Sequence, residues 1–299
     1  MSDARDALAA RLAALAPPDT TVGYLLRLSR PRFWLYLAGP AIVGAVFAAR
    51  QTAELFAPQT VALVAYFLVP ANVFLYGVND VFDADIDARN PKKATEGGRE
   101  VRYRGDRTIL AAVLVSGALG LAALPVVPVE AALAMVAFLA LAVEYSAPPL
   151  RFKTTPLLDS LSNGLYVLPG VVTFATVSGQ FPPALAVAGA WLWTMAMHTF
   201  SAIPDIEPDR AAGIETTATA LGERRTYAYC AVVWAAAAAV FALVHPLWGG
   251  LLTVYPLFTA AVARSDVSVD RAYWWFPYLN TLVGALLTMG GLWRLVYAA

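Results

Sequence analysis

Two runs of side-chain oxygen atoms hold the chemistry available to this chain. The first, Asn79-Asp80-Val81-Phe82-Asp83-Ala84-Asp85-Ile86-Asp87, places Asn79, Asp80, Asp83 and Asp87 on one arc of a helix, with Asp85 pointing away. The second, Asp205-Ile206-Glu207-Pro208-Asp209, repeats the four-residue spacing, although Pro208 argues against a regular helix through that turn. Like charges four apart on a helix repel, so carboxylates stacked on one face need a compensating cation. Hard divalent ions such as Mg2+ take oxygen ligands and bridge carboxylates to phosphate oxygens. Lys92, Lys93, Arg99, Arg102, Arg104, Arg151 and Lys153 lie in the segments that follow the apolar stretches around the first run. Carboxylates beside basic groups make a metal–diphosphate site, with Arg102 and Arg104 the preferred phosphate contacts. Lys92 and Lys93 read equally well as signals of membrane topology.

The elements that must position these groups are membrane helices. Of 299 residues, 59% are hydrophobic and 14% charged, and the mean hydropathy is +0.61. Soluble domains carry roughly 25% charged residues, so this composition predicts an integral membrane protein. A bilayer-crossing helix needs about 20 mostly apolar residues. Nine stretches qualify, at 33–50, 58–79, 108–125, 128–145, 158–178, 183–203, 226–244, 246–264 and 273–297. With nine crossings, 19 of the 21 Lys and Arg fall on one side, and only Arg50 and Arg294 fall opposite. The positive-inside rule makes that side cytoplasmic, together with the N-terminus. Both acidic runs leave their spans on this same side, four spans apart, which suggests an internal pseudo-repeat and one shared site between two half-bundles.

Other classes are disfavoured. Lys+Arg and Asp+Glu balance at 21 each, which gives no basic domain for nucleic acid. Cys230 is the single cysteine, and the two histidines, His198 and His245, are far apart, so any metal must be held mainly by oxygen. Residues 1–22 lack the continuous apolar core of a signal peptide and read as an N-terminal cytoplasmic segment with a short amphipathic helix, followed by one transmembrane domain over 23–299. Trp193, Trp234, Trp248, Trp274 and Trp275 are expected in aromatic belts near span ends.

Asn79-Asp80-x-x-Asp83-x-x-x-Asp87 with Asp205-x-x-x-Asp209, on a chain of nine spans, resembles the UbiA superfamily of intramembrane prenyltransferases. The similarity runs from about Tyr24 to the C-terminus and includes the Tyr145-to-Lys153 segment. It implies an all-α bundle with a central cavity open at the cytoplasmic face, and Mg2+ held by the two motifs and binding an isoprenyl diphosphate. Asn79, Asp83, Asp87, Asp205 and Asp209 would be metal ligands, with Asp80 an outer-shell or acid/base group, and Arg99, Arg102, Arg104, Arg151 and Lys153 would contact diphosphate. Ser29-Arg30-Pro31-Arg32-Phe33-Trp34-Leu35-Tyr36, Asn90-Pro91-Lys92-Lys93 and the 202–209 segment are similar to the branch that elongates lycopene toward C50 carotenoids. Two departures stand out: the loop after the first motif lacks the usual Arg-Pro step, and Pro208 stands where many relatives have Gly.

The resemblance implies that dimethylallyl diphosphate ionises and the allylic cation adds to the terminal alkene of lycopene. The resulting tertiary cation loses a proton or captures water. Aromatic faces stabilise such cations, and Phe74, Tyr76, Phe82, Tyr145 and Tyr166 are candidates. His198, about two turns before Asp205, is a cavity candidate, and Glu144 a candidate base or water-positioning group. A quinone precursor, a porphyrin-type ring or a glycerol lipid are alternative acceptors. A secondary transporter is the distant alternative, disfavoured because its site would lie near the midplane.

Overall fold

The apolar stretches fold as helices that break where proline or charge interrupts them. A computed structural model describes residues 17, 20–87, 105 and 107–297, and every regular element among them is helical. The first half comprises α1 (Thr21–Leu28), α2 (Trp34–Ala48), α3 (Thr52–Leu55), α4 (Pro58–Leu68), α5 (Pro70–Asp87), α6 (Arg107–Ala122), α7 (Val129–Glu144), α8 (Leu158–Leu161) and α9 (Leu168–Ser178). The second comprises α10 (Ala184–Ser201), α11 (Ile206–Ala211), α12 (Thr217–Leu221), α13 (Glu223–Val244), α14 (Pro246–Leu252), α15 (Val254–Val262) and α16 (Val269–Tyr297).

Each of the nine apolar stretches is mostly helical. Six helical runs are long and apolar enough to cross a bilayer: Thr21–Ala48, Pro58–Asp83, Arg107–Val126, Leu158–Ser178, Glu223–Val244 and Arg271–Tyr297. The protein is therefore a multi-pass membrane protein. By the same measure α7 and Pro246–Val262 are short, and α10 carries Thr194, His198, Thr199 and Ser201, so nine crossings stay a sequence expectation.

The buried apolar residues form two cores, one per half. Leu37, Phe67, Met135, Phe138, Leu165 and Val172 belong to the first, and Phe200, Trp234, Tyr255 and Phe276 anchor the second. Trp234 corrects the aromatic-belt expectation. It lies mid-helix, 1% exposed, with its ring stacked 5.5 Å from Tyr255 and 5.6 Å from Phe276.

Contacts between the first and last long helices join the halves. At one end Arg32 donates to the Tyr273 and Trp274 carbonyls and lies 3.6 Å over the Trp274 ring. At the other, Arg294 donates to the carbonyls of Val46, Phe47 and Ala49 at the C-terminus of α2, where a helix leaves carbonyls unpaired and favours a cation. This accounts for a cation on the side that otherwise carries only Arg50. On its opposite flank α2 crosses α9 so closely that a Cβ at Gly44 would lie 2.1 Å from the Gly170 carbonyl oxygen.

Three local devices aim the acidic runs. Pro70 breaks the α4–α5 span, and the buried Asn72 amide donates to the Phe67 and Leu68 carbonyls at the break, 3.0 Å each. In lipid such groups have no water to turn to. From there α5 runs unbroken through Asp87. After α10, a 3-10 turn at Ile203–Asp205 restarts the chain as α11, with Asp205 at its N-cap. The expectation that Pro208 breaks this segment is corrected, since Pro208 falls in the first turn of α11, where a helix needs no N–H donor. Third, the fully buried Asp159 accepts hydrogen bonds from the Thr217 amide at 2.9 Å and from the Thr217 hydroxyl. The Leu157 amide donates to that hydroxyl at 2.8 Å, stitching the chain after the second run to the one below Tyr145.

Two stability measurements test this packing. Gly44→Ala is expected to lower the thermal unfolding midpoint in detergent, by the ~1–3 kcal/mol typical of overpacking, because backbone rather than a flexible side chain blocks the methyl. Asp159→Ala strands the buried Thr217 donors and should cost about 1–3 kcal/mol. Added to Thr217→Val it should cost much less, and full additivity of the two would show that the pair is not coupled.

Candidate active site

At the end of α5 a helix face of carboxylates is buried and met by cations from two other segments. Asp80 and Asp83 are 3% and 9% exposed. Arg30 reaches Asp80 Oδ1 at 3.5 Å and lies 4.4 Å over the Tyr76 ring. Asp83 Oδ1 is paired with Arg151 at 3.2 Å and with Lys153 Nζ. Both arginines sit at left-handed backbone positions, φ 49° at Arg30 and φ 40° at Arg151, each just before a one-turn 3-10 helix. Such a conformation is uncommon for a non-glycine residue and tends to cluster at functional sites.

The loop after α7 delivers the second pair of cations by folding back on the helix end. The Arg151 amide donates to the Ala147 carbonyl at 3.0 Å, and the Lys153 amide to the Tyr145 carbonyl at 3.1 Å. Ser146 on this loop accepts from the Asn79 amide nitrogen at 2.9 Å. That contact fixes the Asn79 side chain and leaves its carbonyl oxygen for a cation.

Behind this charged rim lies a cavity of about 200 Å3. Its aromatic walls are Phe33, Tyr36, Tyr76, Tyr145, Tyr166 and Tyr273, with Tyr36 and Tyr166 edge to face at 6.3 Å. Arg30 and Asn79 line the charged end, and Asn163, His198 and Ser201 supply the remaining polar groups. Tyr166 and Asn163 sit on a 3-10 segment, Ser162–Tyr166, held against α10 by Trp191, whose ring would lie 1.7 Å from a Cβ at Gly164. The cavity thus takes side chains from both halves.

Several expected groups meet here: Asn79, Tyr145, Tyr166 and His198 in the wall, with Asp80, Asp83, Arg151 and Lys153 beside it. Asp205 and Asp209, both half-buried, follow the cavity residue Ser201 by one and two turns. Asp87 ends α5, and its side chain lies outside the described residues, as do Lys92, Lys93, Arg99, Arg102 and Arg104. Three candidates are corrected. Glu144 is not in the cavity wall, and its Oε2 is buried without a hydrogen-bond partner. Phe74 packs into the first core against Gly117. Phe82 points outward, 44% exposed. The sequence reading gave no role to Arg30, Phe33, Tyr36, Asn163, Ser201 or Tyr273. The Arg30-Pro31 break, with aromatics at the helical spacing of 33 and 36, was an available signal for the first three, whereas Tyr273 had none.

Among the described residues no three Asp, Glu, His or Cys side chains converge into a ready-made metal site. The donors that border the cavity are nevertheless amide and carboxylate oxygens, the set a hard divalent ion takes together with phosphate oxygens. Their chemistry fits Mg2+ shared with a diphosphate.

A model of the UbiA prenyltransferase family matches residues 37–272. The chain is 59% identical to a lycopene elongase/hydratase of Haloarcula japonica over 96% of this chain and 97% of that protein. It is 64% identical to one of Haloferax volcanii over 91% and 90%. Among solved structures, a UbiA homologue from Archaeoglobus fulgidus bound to DMAPP and Mg2+ superposes with a TM-score of 0.75, covering 91% of this chain and 99% of that one at 21% identity. A charged rim over an aromatic cavity, on this fold and across nearly the whole length of such relatives, means that the chain belongs to the UbiA prenyltransferase family.

Proposed function

We propose that this enzyme transfers a dimethylallyl group from dimethylallyl diphosphate to the ends of lycopene, with hydration, toward C50 carotenoids. The observation that carries the reaction class is the cavity, with cations and carboxylates at one end and aromatic faces behind them. The acceptor rests on the identity of 59–64% to lycopene elongase/hydratases. The basic rim faces the cytoplasm, as the distribution of Lys and Arg favours.

In this reading Arg30, Arg151 and Lys153 bind the diphosphate, joined by Arg99, Arg102 and Arg104 from the loop after α5. Asn79, Asp83, Asp87, Asp205 and Asp209 would hold Mg2+, and an ion there supplies Lewis-acid neutralisation of the leaving diphosphate. Asp80 positions Arg30, whose guanidinium is pinned between that carboxylate and the Tyr76 ring. Tyr76, Tyr166, Tyr36 and Phe33 present π faces to the allylic cation and keep bulk water from it. The terminal alkene of the acceptor attacks, one C–C bond forms, and a tertiary cation is left on the acceptor. About 200 Å3 is below the roughly 300–1,000 Å3 of typical ligand sites. It suits a five-carbon donor and one end of a long chain whose remainder lies in the bilayer.

Product analysis in lycopene-accumulating membranes supplied with dimethylallyl diphosphate tests the assignment. Wild type should yield carotenoids heavier by one and two C5 units, lost on chelation of divalent ions and in Asp83→Ala. Untouched lycopene from folded protein with Mg2+ present would sink it and bring aromatic or lipid acceptors forward. Arg151→Gln and Lys153→Met each remove one charged hydrogen bond to the diphosphate, about 1.5–3 kcal/mol or roughly 10- to 100-fold in KM for the donor. An unchanged donor KM in both would place the diphosphate elsewhere.

A further inference from the structure

The cavity wall holds a polar pair that binding and ionisation of a diphosphate leave unused. Tyr145 and His198 both line it, with the phenol oxygen 3.5 Å from His198 Nε2 and the rings edge to face at 5.9 Å and 86°. That separation is at the outer limit for a direct hydrogen bond, so both atoms can also reach one water seated beside them on the cavity side. Ser201 donates to the His198 carbonyl at 2.6 Å, bracing the α10 turn that carries the ring.

Position and basicity both single out this pair. His198 lies one turn before the end of α10 and lines the cavity, and Asp205 follows it across the 3-10 turn that ends that helix. A donor whose diphosphate sits at the rim places its reacting carbon inward of the carboxylates, and the tertiary cation forms one carbon farther along the acceptor. None of the described lining residues is an Asp or Glu. The imidazole is therefore the strongest proton acceptor on the wall.

Resting on the function proposed above, we infer that Tyr145 and His198 hold the water that hydrates the elongated acceptor, and that His198 Nε2 takes its proton. A lone pair of the water oxygen forms the C–O bond to the tertiary carbon. One O–H bond breaks, its electron pair stays on oxygen, and the proton passes to the imidazole. The imidazolium gives that proton to the departing diphosphate, which carries it out at the rim. Tyr145 donates to the water and fixes its orientation. Loss of a proton from the tertiary cation to the diphosphate, without water, gives the competing alkene.

The test is the ratio of hydrated to alkene product, by mass spectrometry in 18O-water, from the full-length protein in lycopene-containing membranes. Wild type should give elongated product with one 18O per elongated end. His198→Gln keeps a polar side chain without a comparable base and should lower the hydrated-to-alkene ratio at least tenfold. Tyr145→Phe keeps the ring and should lower it less. A ratio unchanged in folded His198→Gln overturns the inference. If that variant does not fold, an unchanged ratio in Tyr145→Phe overturns it instead. Wild type that elongates lycopene without taking up 18O overturns it together with the hydration, while the proposed dimethylallyl transfer stands. Wild type that leaves lycopene untouched overturns both.

Discussion

The structure is organised around the neutralisation of a carboxylate-bearing helix face inside an apolar bundle. Asp80 and Asp83 sit one turn apart and nearly excluded from solvent, where an unpaired ion carries a desolvation penalty of several kcal/mol. Removing one partner from a buried pair typically costs about 3–5 kcal/mol, so Arg30, Arg151 and Lys153 are as much a folding requirement as a binding device. Two otherwise unrelated pieces of chain meet it in the same way. The break between α1 and α2 and the loop after α7 each set an arginine in a left-handed conformation and follow it with a tight 3-10 turn. That geometry turns the guanidinium back toward α5. The same cations are the ones an incoming diphosphate would draw, and the same Asp83 is one a divalent ion would take. Ion and diphosphate therefore relieve one another's competition when they arrive together, since each accepts the partner that the other displaces.

The cavity exists because the two halves do not share a core. Each builds its own apolar cluster, and the seam between them is closed at its edge by α2 against α16. Arg32 at one end and Arg294 at the other bind backbone carbonyls across that seam. Close backbone approach at Gly44 and Gly170 holds α2 against α9. The halves also meet where Trp191 packs on Gly164 and Thr217 bonds Asp159, and around the cavity left between these contacts their facing surfaces are rich in tyrosine. An aromatic lining suits this seam, since a phenol offers an apolar, π-rich body to a cavity and a polar tip beyond it.

Much of this arrangement is legible in the chain, in proportion to how local its cause is. The arc shared by Asn79, Asp80 and Asp83 follows from helical periodicity alone, and α5 carries it unbroken. The Tyr145-to-Lys153 segment reaches the site because its basic residues are close in sequence to a helix end. Which side of a membrane helix faces its neighbours is harder to read. Apolar residues surround such helices on all sides, so the hydrophobic stripe that orients a soluble helix is missing. Phe74 and Phe82 therefore looked equivalent to Tyr76, although one is core and one faces outward. Trp234 looked like a belt residue because its burial depends on Tyr255 and Phe276, far along the chain. Arg30 and Tyr273 enter the site through long-range contacts, among them ones spanning 50 and 241 residues. Pro208 misled for a different reason: its effect depends on its position within the helix, and the 3-10 turn at Ile203–Asp205 had already restarted the count.

The cavity carries ions at one end and aromatic rings along its walls, with a histidine among them, and this arrangement suits a reaction whose positive charge passes from donor to acceptor. At the rim, carboxylates and guanidinium groups handle a multiply charged leaving group. Farther in, a carboxylate would quench a carbocation by bonding to it, so a wall of π faces serves better: it stabilises positive charge without offering an anionic oxygen. The described wall holds to that rule, since neither Glu144 nor Asp159 lines it and Asp159 accepts from two Thr217 donors. Among the described lining residues, His198, Asn163 and Ser201 set polar groups among the rings, and the imidazole is the strongest base of the three. A neutral base next to the last cation can take a proton from water, and its own affinity for the cation is blunted when that water occupies the space between. The same surroundings explain why polar groups so deep in a membrane bundle are tolerated. Asp80 is met by Arg30, Asp83 by Arg151 and Lys153, and Asp159 by Thr217.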